Sequence, residues 1–214
     1  MQSKSFMRDL VITAKLKDGR IAGNNFDLML DGILYKAFVK CYLPSLLGQT
    51  SKEFTDFELP LARHITDSGD WYYLCSRAFF ESKYEELEYY NKKQDLTEAE
   101  IYLEDGKSKS DLAAMSGKYK PYRNAVVVKY TKEIKWYAHG MKTEIEKLLT
   151  YIDGIGLKHN IGYGQIDEWI VEEGKKVQFD KTMRPIPNEN GNCIKTIKPP
   201  YHWYKNRRRC SYDL

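Results

Sequence analysis

The most constraining stretch of this sequence is Gly154-Ile155-Gly156-Leu157-Lys158-His159-Asn160-Ile161-Gly162-Tyr163-Gly164, where four glycines sit between a helical pattern and a strand pattern. Ahead of it, Ile145, Leu148, Leu149 and Ile152 recur on one helical face. Thr143-Glu144-Ile145-Glu146 reads as a capping box that starts this helix, and Gly154 as its C′ glycine. Behind it, Tyr163 to Glu172 reads as a strand with Ile166, Trp169 and Ile170 apolar. A loop that runs from helix to strand, with no Gly-Lys-Ser/Thr, is neither a P-loop nor a dinucleotide fingerprint. Glycine tolerates positive φ and lacks a Cβ, so backbone amides there can approach a phosphate or a neighbouring chain. Lys158 adds a point charge and His159 a second potential cation. The competing reading of the glycines is a helix C-cap followed by a tight turn.

The rest of the chain supplies the partners for that unit. Phe6 to Leu16 reads as an opening strand, Asp18-Gly19 as a turn, and Ile21 to Leu30 as a returning strand. Asp31 is placed to cap a helix carrying Ile33, Leu34, Ala37, Phe38 and Cys41, which Pro44 and Gly48 end. Trp71 to Phe80 reads as an aromatic strand flanked by Arg63 and Arg77; Ala125 to Tyr130 and Ile134 to Ala138 read as further strands. Strand–helix–strand–strand–helix–strand, with hairpins added, predicts an α+β, ferredoxin-like core. The expected division is a ferredoxin-like domain over 1–173, with a charged, thumb-like hairpin insertion at about 81–123. A basic, irregular, proline-punctuated extension follows over 174–214.

Charge is unevenly placed. The net charge is only +4. From Glu81 to Asp111, however, ten acids stand against five lysines, and from Gly174 onward ten basic residues stand against three acids. A polyanion would be drawn to some faces and repelled by another; solvated surface charge is the plainer reading. Tyrosine is abundant, with 17 residues, and offers a flat ring with a polar tip for stacking on bases or for half-burial in a sheet. Lys118, Lys120, Tyr122 and Arg123 interleave cations with rings, as do Tyr201, Trp203, Tyr204, Lys205, Arg207, Arg208 and Arg209. Both clusters are candidate RNA contacts. Cys41, Cys75, Cys193 and Cys210 are scattered, with no C-x-x-C, and a zinc site from Cys193, His202 and Cys210 fits no tight knuckle; no metal or cofactor is expected. No apolar run approaches a membrane span, and Arg8, Asp9 and Lys15 interrupt the first residues, so the expectation is a cytoplasmic chain without membrane contact.

The G-x-G-x5-G-x-G loop between the last helix and last strand of a ferredoxin-like unit resembles the signature of the CRISPR-associated RAMP superfamily. Leu30-Asp31-Gly32-Ile33-Leu34 resembles the start of the first helix in the group-five RAMP subunit of type IV effectors. Trp136-Tyr137-Ala138-His139-Gly140, Gly164-Gln165-Ile166-Asp167-Glu168-Trp169, Arg184-Pro185-Ile186-Pro187, Pro199-Pro200-Tyr201 and Cys210 are similar to that family's later segments. The resemblance implies a ribonucleoprotein subunit that binds the 5′ handle of CRISPR RNA and caps a backbone filament. Its partners would be type IV backbone and large subunits, with target DNA reached through the complex. On that reading Gly154, Gly156, Lys158, His159, Gly162 and Gly164 grip RNA, aided by the two interleaved clusters.

Two alternatives stay open. One is a metal-independent CRISPR RNA processing nuclease, for which His139 or His159 would supply acid–base chemistry. The other is an unrelated α+β interaction protein with a structural glycine loop. No catalytic triad, H-E-x-x-H or paired-carboxylate motif occurs in the sequence, so a non-catalytic role is expected.

Overall fold

A computed structural model describes residues 6–24, 26–46, 57–92, 122–174, 180 and 183–211. Its central sheet is built from three alternating strands: β1 (Arg8–Leu16), β7 (Glu133–Gly140) and β8 (Ile166–Glu173), ordered β7-β1-β8 and all antiparallel. Leu10, Ile12 and Ala14 of β1 and Ile134, Trp136 and Ala138 of β7 are buried on one face. The register sets Ile12 opposite Trp136 on one side and Val171 on the other. That period of two is what the sequence alternation predicts. Trp136 is fully buried, its indole N–H donating to Leu28 O at 2.8 Å, so ring burial leaves no unpaired donor.

Helices α1 (Leu30–Tyr42) and α2 (Lys142–Leu149) pack against each other and close that core. Leu30, Leu34 and Ala37 from α1 meet Ile145, Leu148 and Leu149 from α2. Beyond β7, β4 (Trp71–Tyr73) leads into residues that bridge Cys75 to Ala138 and Phe79 to Lys135. The spatial order β8, β1, β7, 75–79 is the arrangement of a ferredoxin-like sheet. The aromatic strand is thus shorter than expected. Ser76 is the reason: its Oγ accepts the Tyr137 amide at 2.9 Å, while its carbonyl accepts from Leu30 and Ala78 N donates to Leu28 O. Alternate groups of the segment serve two partners, so no continuous ladder forms.

A second sheet, ordered β2-β6-β5, is formed by β2 (Arg20–Gly23), β6 (Tyr122–Tyr130) and β5 (Glu85–Lys92). β5 and β6 are the two sides of the expected inserted hairpin, and they pair from Glu85 opposite Lys129 to Lys92 opposite Tyr122. The returning strand expected from Ile21 to Leu30 stops at Gly23. β3 (Arg63–Ile65) pairs with β4 as a short hairpin.

Four sequence expectations are corrected. Thr143 is no cap: α2 starts from Met141, whose amide is held by Pro60 O at 3.0 Å, and no side chain caps it. Gly154 is no C′ glycine, because the helix ends at Leu149 with Thr150 as C-cap. Asp31 is not the N-cap of α1 but lies inside its first turn, fully buried, with Met29 at the cap. The basic extension expected to be irregular carries β9 (Ile186–Pro187), β10 (Cys193–Thr196) and β11 (Arg207–Ser211), ordered β10-β11-β9.

That extension is tied to the core by a buried ion pair. Arg184 and Asp31 side chains are both 0% exposed, with Nη2 to Oδ2 at 3.4 Å. Arg184 also donates to Tyr73 O, to Cys75 O at 3.3 Å and to Ile197 O at 2.6 Å. Tyr201 Oη donates to Asp31 Oδ1 at 2.7 Å. A Cβ on Gly32 would lie 3.0 Å from the Tyr201 ring, so a larger residue there would require the ring to shift by a few tenths of an ångström. Leu30-Asp31-Gly32, Arg184-Pro185 and Pro199-Pro200-Tyr201 therefore meet in one place.

Candidate functional site

The glycine loop is an excursion closed at its base. Gly154 bridges Gln165, Ile155 N donates to Gly164 O at 2.9 Å, and Ile166 N donates to Asp153 O at 2.9 Å. Two further bonds dock it on β2: Leu157 N to Ala22 O and Gly164 N to Arg20 O, both 2.7 Å. The glycines serve that docking. Gly156 (φ +79°) would set a Cβ 2.7 Å from Ala22 O, and Gly164 (φ +60°) one 2.1 Å from Ile155 O. Gly154 packs against His159, whose Cβ would be 2.8 Å from an added Cβ. Gly162 differs, because at φ +113° it has open space where a side chain would be.

The tip, His159–Ile161, is one short 3₁₀ turn preceded by Lys158 in the left-handed region at φ 59°. Among the described residues, the amides of Lys158, His159 and Asn160 donate to no backbone acceptor. Leu157 and Ile161 stand exposed beside them. The loop lies against the hairpin, where Tyr163 packs with Ala22, Val126 and Val128 and its hydroxyl donates to Glu88. That hydrogen bond to a carboxylate pushes the Tyr163 phenol well above its ordinary pKa. Arg20 lies over the Tyr163 ring at 5.1 Å, and Lys158 Nζ lies 4.8 Å from the centroid of Tyr90.

The proposed RNA-contacting residues fall in three places. Lys158, His159 and the glycines share the loop. Arg123 lies in β6, 4.0 Å over the Tyr89 ring; Tyr89 and Tyr90, as strand neighbours, face opposite sides of the hairpin, so Arg123 and Lys158 flank it. The backbone of Tyr122 begins β6, while Lys118 and Lys120 lie outside the described residues. The third cluster is elsewhere: Arg207, Arg208 and Arg209 form β11, where Arg208 Nε donates to Asp70 at 2.8 Å, and Lys205 sits over Trp203 at 5.4 Å. Among the described residues no hydrogen bond or ion pair joins that cluster to the glycine loop. Arg63 is likewise engaged, lying over the Trp71 ring at 4.4 Å.

The two histidines considered for acid–base chemistry are far apart. His139 Nδ1 is 2.8 Å from Asp9 Oδ1, at the start of β1. The loop carrying His159 joins the chain beyond the end of β1, where Lys17 N donates to Gln165 O. Eight residues of extended strand separate these levels by roughly 25 Å, so they cannot act on one phosphodiester. Cys193 and Cys210 face each other across β10 and β11, and among the described residues no three metal-ligating side chains cluster.

Sequence reasoning missed Arg20, Tyr90, Tyr163 and Glu88 as parts of this surface. A family model for CRISPR type IV associated protein Csf3 matches residues 8–212. The chain belongs to the Csf3 family. Csf3 proteins are Cas5-like RAMP subunits, which agrees with the ferredoxin-like core and removes the reading of an unrelated interaction protein. The match spans the hairpin and the C-terminal sheet as well as the core. No curated protein matches this chain. Among the described residues, no helix is long and apolar enough to cross a membrane.

Proposed function

We propose that this Csf3 chain is a non-catalytic subunit of a type IV CRISPR ribonucleoprotein in the cytoplasm. It binds the 5′ handle of the CRISPR RNA and caps the backbone filament, beside the type IV backbone and large subunits. Target DNA is then read by guide pairing within the complex. The observation that supports this most is the loop itself: an excursion docked by hydrogen bonds that presents Lys158 and unspent amides beside Tyr90 of the hairpin and Arg20 of β2. Point charge, amides and ring faces are the groups that hold single-stranded RNA. Of the acids of β5, Glu85 is paired with Lys129, while Glu86 and Glu88 accept from the neutral hydroxyls of Tyr130 and Tyr163 and keep their charge, so the strand must run on the loop and Arg20 side of those carboxylates.

The test is sequencing of the RNA that co-purifies with the tagged chain, paired with Lys158→Ala. Handle binding predicts RNA with one fixed 5′ end, and a variant whose salt dependence flattens by about 0.7 in log–log slope, the loss of one phosphate contact. RNA of random ends, or a parental slope, would overturn the reading. A metal-independent nuclease that uses His139 beside Asp9, or His159 beside Lys158, is the alternative; cleavage of repeat RNA by the pure chain without metal, abolished in His139→Ala or in His159→Ala, would establish it.

A further inference from the structure

A second surface feature lies next to the loop and was not visible in the sequence. Between the 77–82 segment and the hairpin is a cleft of about 530 Å³, lined by Phe26, Phe79, Phe80, Arg77, Lys129 and Asn24, among others. The volume is in the range of small-ligand sites. Phe26 and Phe80 meet edge to face, 5.9 Å between centroids and 70° between planes, an arrangement in which one ring keeps its face uncovered by the other. Lys129 Nζ lies 4.7 Å from the Phe26 centroid, and the Arg77 guanidinium 5.7 Å from that of Phe79.

The charge at the cleft is positive. Asp27 is shared by Arg77, at 3.5 Å, and Lys195, at 3.2 Å. Lys129 has Glu85 at 3.5 Å, and that carboxylate is 63% exposed. Among the residues that line the cleft, the cations Arg77 and Lys129 stand against the single carboxylate Asp27, while Lys195 and Glu85 are their partners outside it. The cleft also shares its backbone with the glycine loop's dock. Arg20 and Ala22 hold the loop, while Asn24 and Phe26, two and four residues on, line the cleft. Gly23 makes the junction tight, since an added Cβ would lie 3.1 Å from the Phe26 ring.

We infer that this cleft receives one unstacked nucleotide of single-stranded RNA, its base against the Phe26–Phe80 pair and its phosphate between Arg77 and Lys129. The inference rests on the RNA-binding reading above and adds to it a site outside the loop. Ring faces give sequence-tolerant stacking, the two cations give phosphate attraction, and Asn24 offers an amide for a base edge. A strand held at the loop tip would then continue past Arg20, Ala22 and Asn24 into the cleft. A protein side chain could also fill an aromatic cleft, but the paired cations favour a phosphodiester.

The experiment uses the full chain and a short fluorescein-labelled single-stranded RNA carrying the repeat's 5′ handle, with affinity read by anisotropy at several salt concentrations. Phe80→Leu should weaken binding about tenfold and leave the salt slope unchanged, the signature of lost stacking. Lys129→Gln should lower the slope by about 0.7. Photo-crosslinking of 4-thiouridine-substituted RNA to the unaltered chain should place an adduct between residues 77 and 82, which needs no variant to fold. Parental affinity in Phe80→Leu at a parental melting temperature, with no adduct in that segment, overturns the cleft site. If Lys158→Ala still weakens binding in that case, the loop reading stands without the cleft. A parent chain that binds no RNA overturns both. Parental RNA affinity with lost co-purification of the other complex subunits would make the cleft a protein contact and overturn the proposal.

Discussion

Asp31→Asn is the change whose consequence follows most directly from the structure. It preserves shape, and the amide oxygen can still accept from Tyr201 Oη and from Gly32 N, which lie 2.7 and 2.9 Å from Asp31 Oδ1. What is lost is the negative charge opposite Arg184, whose side chain is fully buried. Arg184 Nε has no partner among the described residues, and without Asp31 the guanidinium keeps only neutral acceptors, the carbonyls of Tyr73, Cys75 and Ile197 among them. Breaking a buried pair by removing one partner costs about 3–5 kcal/mol, because a charge is left uncompensated. For a chain of this size each kcal/mol lowers the melting temperature by about 2–4 °C, giving a loss of about 6–20 °C by calorimetry or circular dichroism. Arg184→Met added to Asp31→Asn removes the orphaned charge and should recover part of the loss, a coupling of about 1–3 kcal/mol in a double-mutant cycle. A loss under about 1 kcal/mol for Asp31→Asn, or strict additivity in the cycle, would refute the assignment of this pair as the tie between α1 and the C-terminal sheet.

Other substitutions separate folding from binding. Gly156→Val should lower thermal stability by more than Gly162→Val, because both meet an unfavourable positive φ but only the first drives a Cβ into Ala22 O; melting curves of the two decide it. Tyr201→Phe removes one hydrogen bond to a buried carboxylate and should cost about 1.5–3 kcal/mol in denaturant unfolding. Ellman titration of the native chain at pH 8 should find Cys41 and Cys193 reactive and Cys75 and Cys210 protected, with all four reacting in denaturant; burial pushes the Cys210 thiol up to about 11 and Cys75 further still. Early reaction of Cys210 would contradict its full burial in β11.

Periodicity carried the core. The alternation in Leu10, Ile12 and Ala14 and in Ile134, Trp136 and Ala138 is the register of the central sheet, and the helical face of Ile145, Leu148 and Leu149 is the buried face of α2. The helix ends were not legible, because tertiary contacts set them. Pro60 O holds the Met141 amide and starts α2 ahead of Thr143. At the other end the Thr150 hydroxyl donates to Lys147 O at 2.8 Å and closes the helix before any glycine is reached. The C-terminal strands were illegible for a different reason. They are two to five residues long, and the interior beneath them is partly polar, with Arg184 and Asn206 buried among Ile197 and Cys210. No hydrophobic pattern announces an arginine as a core residue. The cleft shares this difficulty, since Phe26 and Lys129 are brought together by the pairing of β2 with β6 and Phe80 by the bridge of Phe79 to Lys135 of β7.

The geometry of the loop also changes what a glycine substitution can mean. At Gly154, Gly156 and Gly164 the absent Cβ admits the chain's own atoms: His159 Cβ, Ala22 O and Ile155 O. Loss of RNA binding in a substitution at any of the three would follow from an undocked loop as readily as from a lost RNA contact. Gly162 is the exception, because no atom lies within 4 Å of its virtual Cβ. Its φ of +113° still strains a larger residue, by about 1–3 kcal/mol, but that strain stays in the tip. The bonds from Leu157 N to Ala22 O and from Gly164 N to Arg20 O need not break. Gly162→Ala is therefore the glycine change that probes the tip with the dock intact. If the tip grips RNA, affinity should fall while the Tyr163 packing, read by melting temperature and by protection of the Gly164 amide from exchange, stays near parental. Parental affinity in a Gly162→Ala chain with that amide still protected would show that no RNA lies against Gly162 and leave the grip to Lys158, His159 and the tip amides.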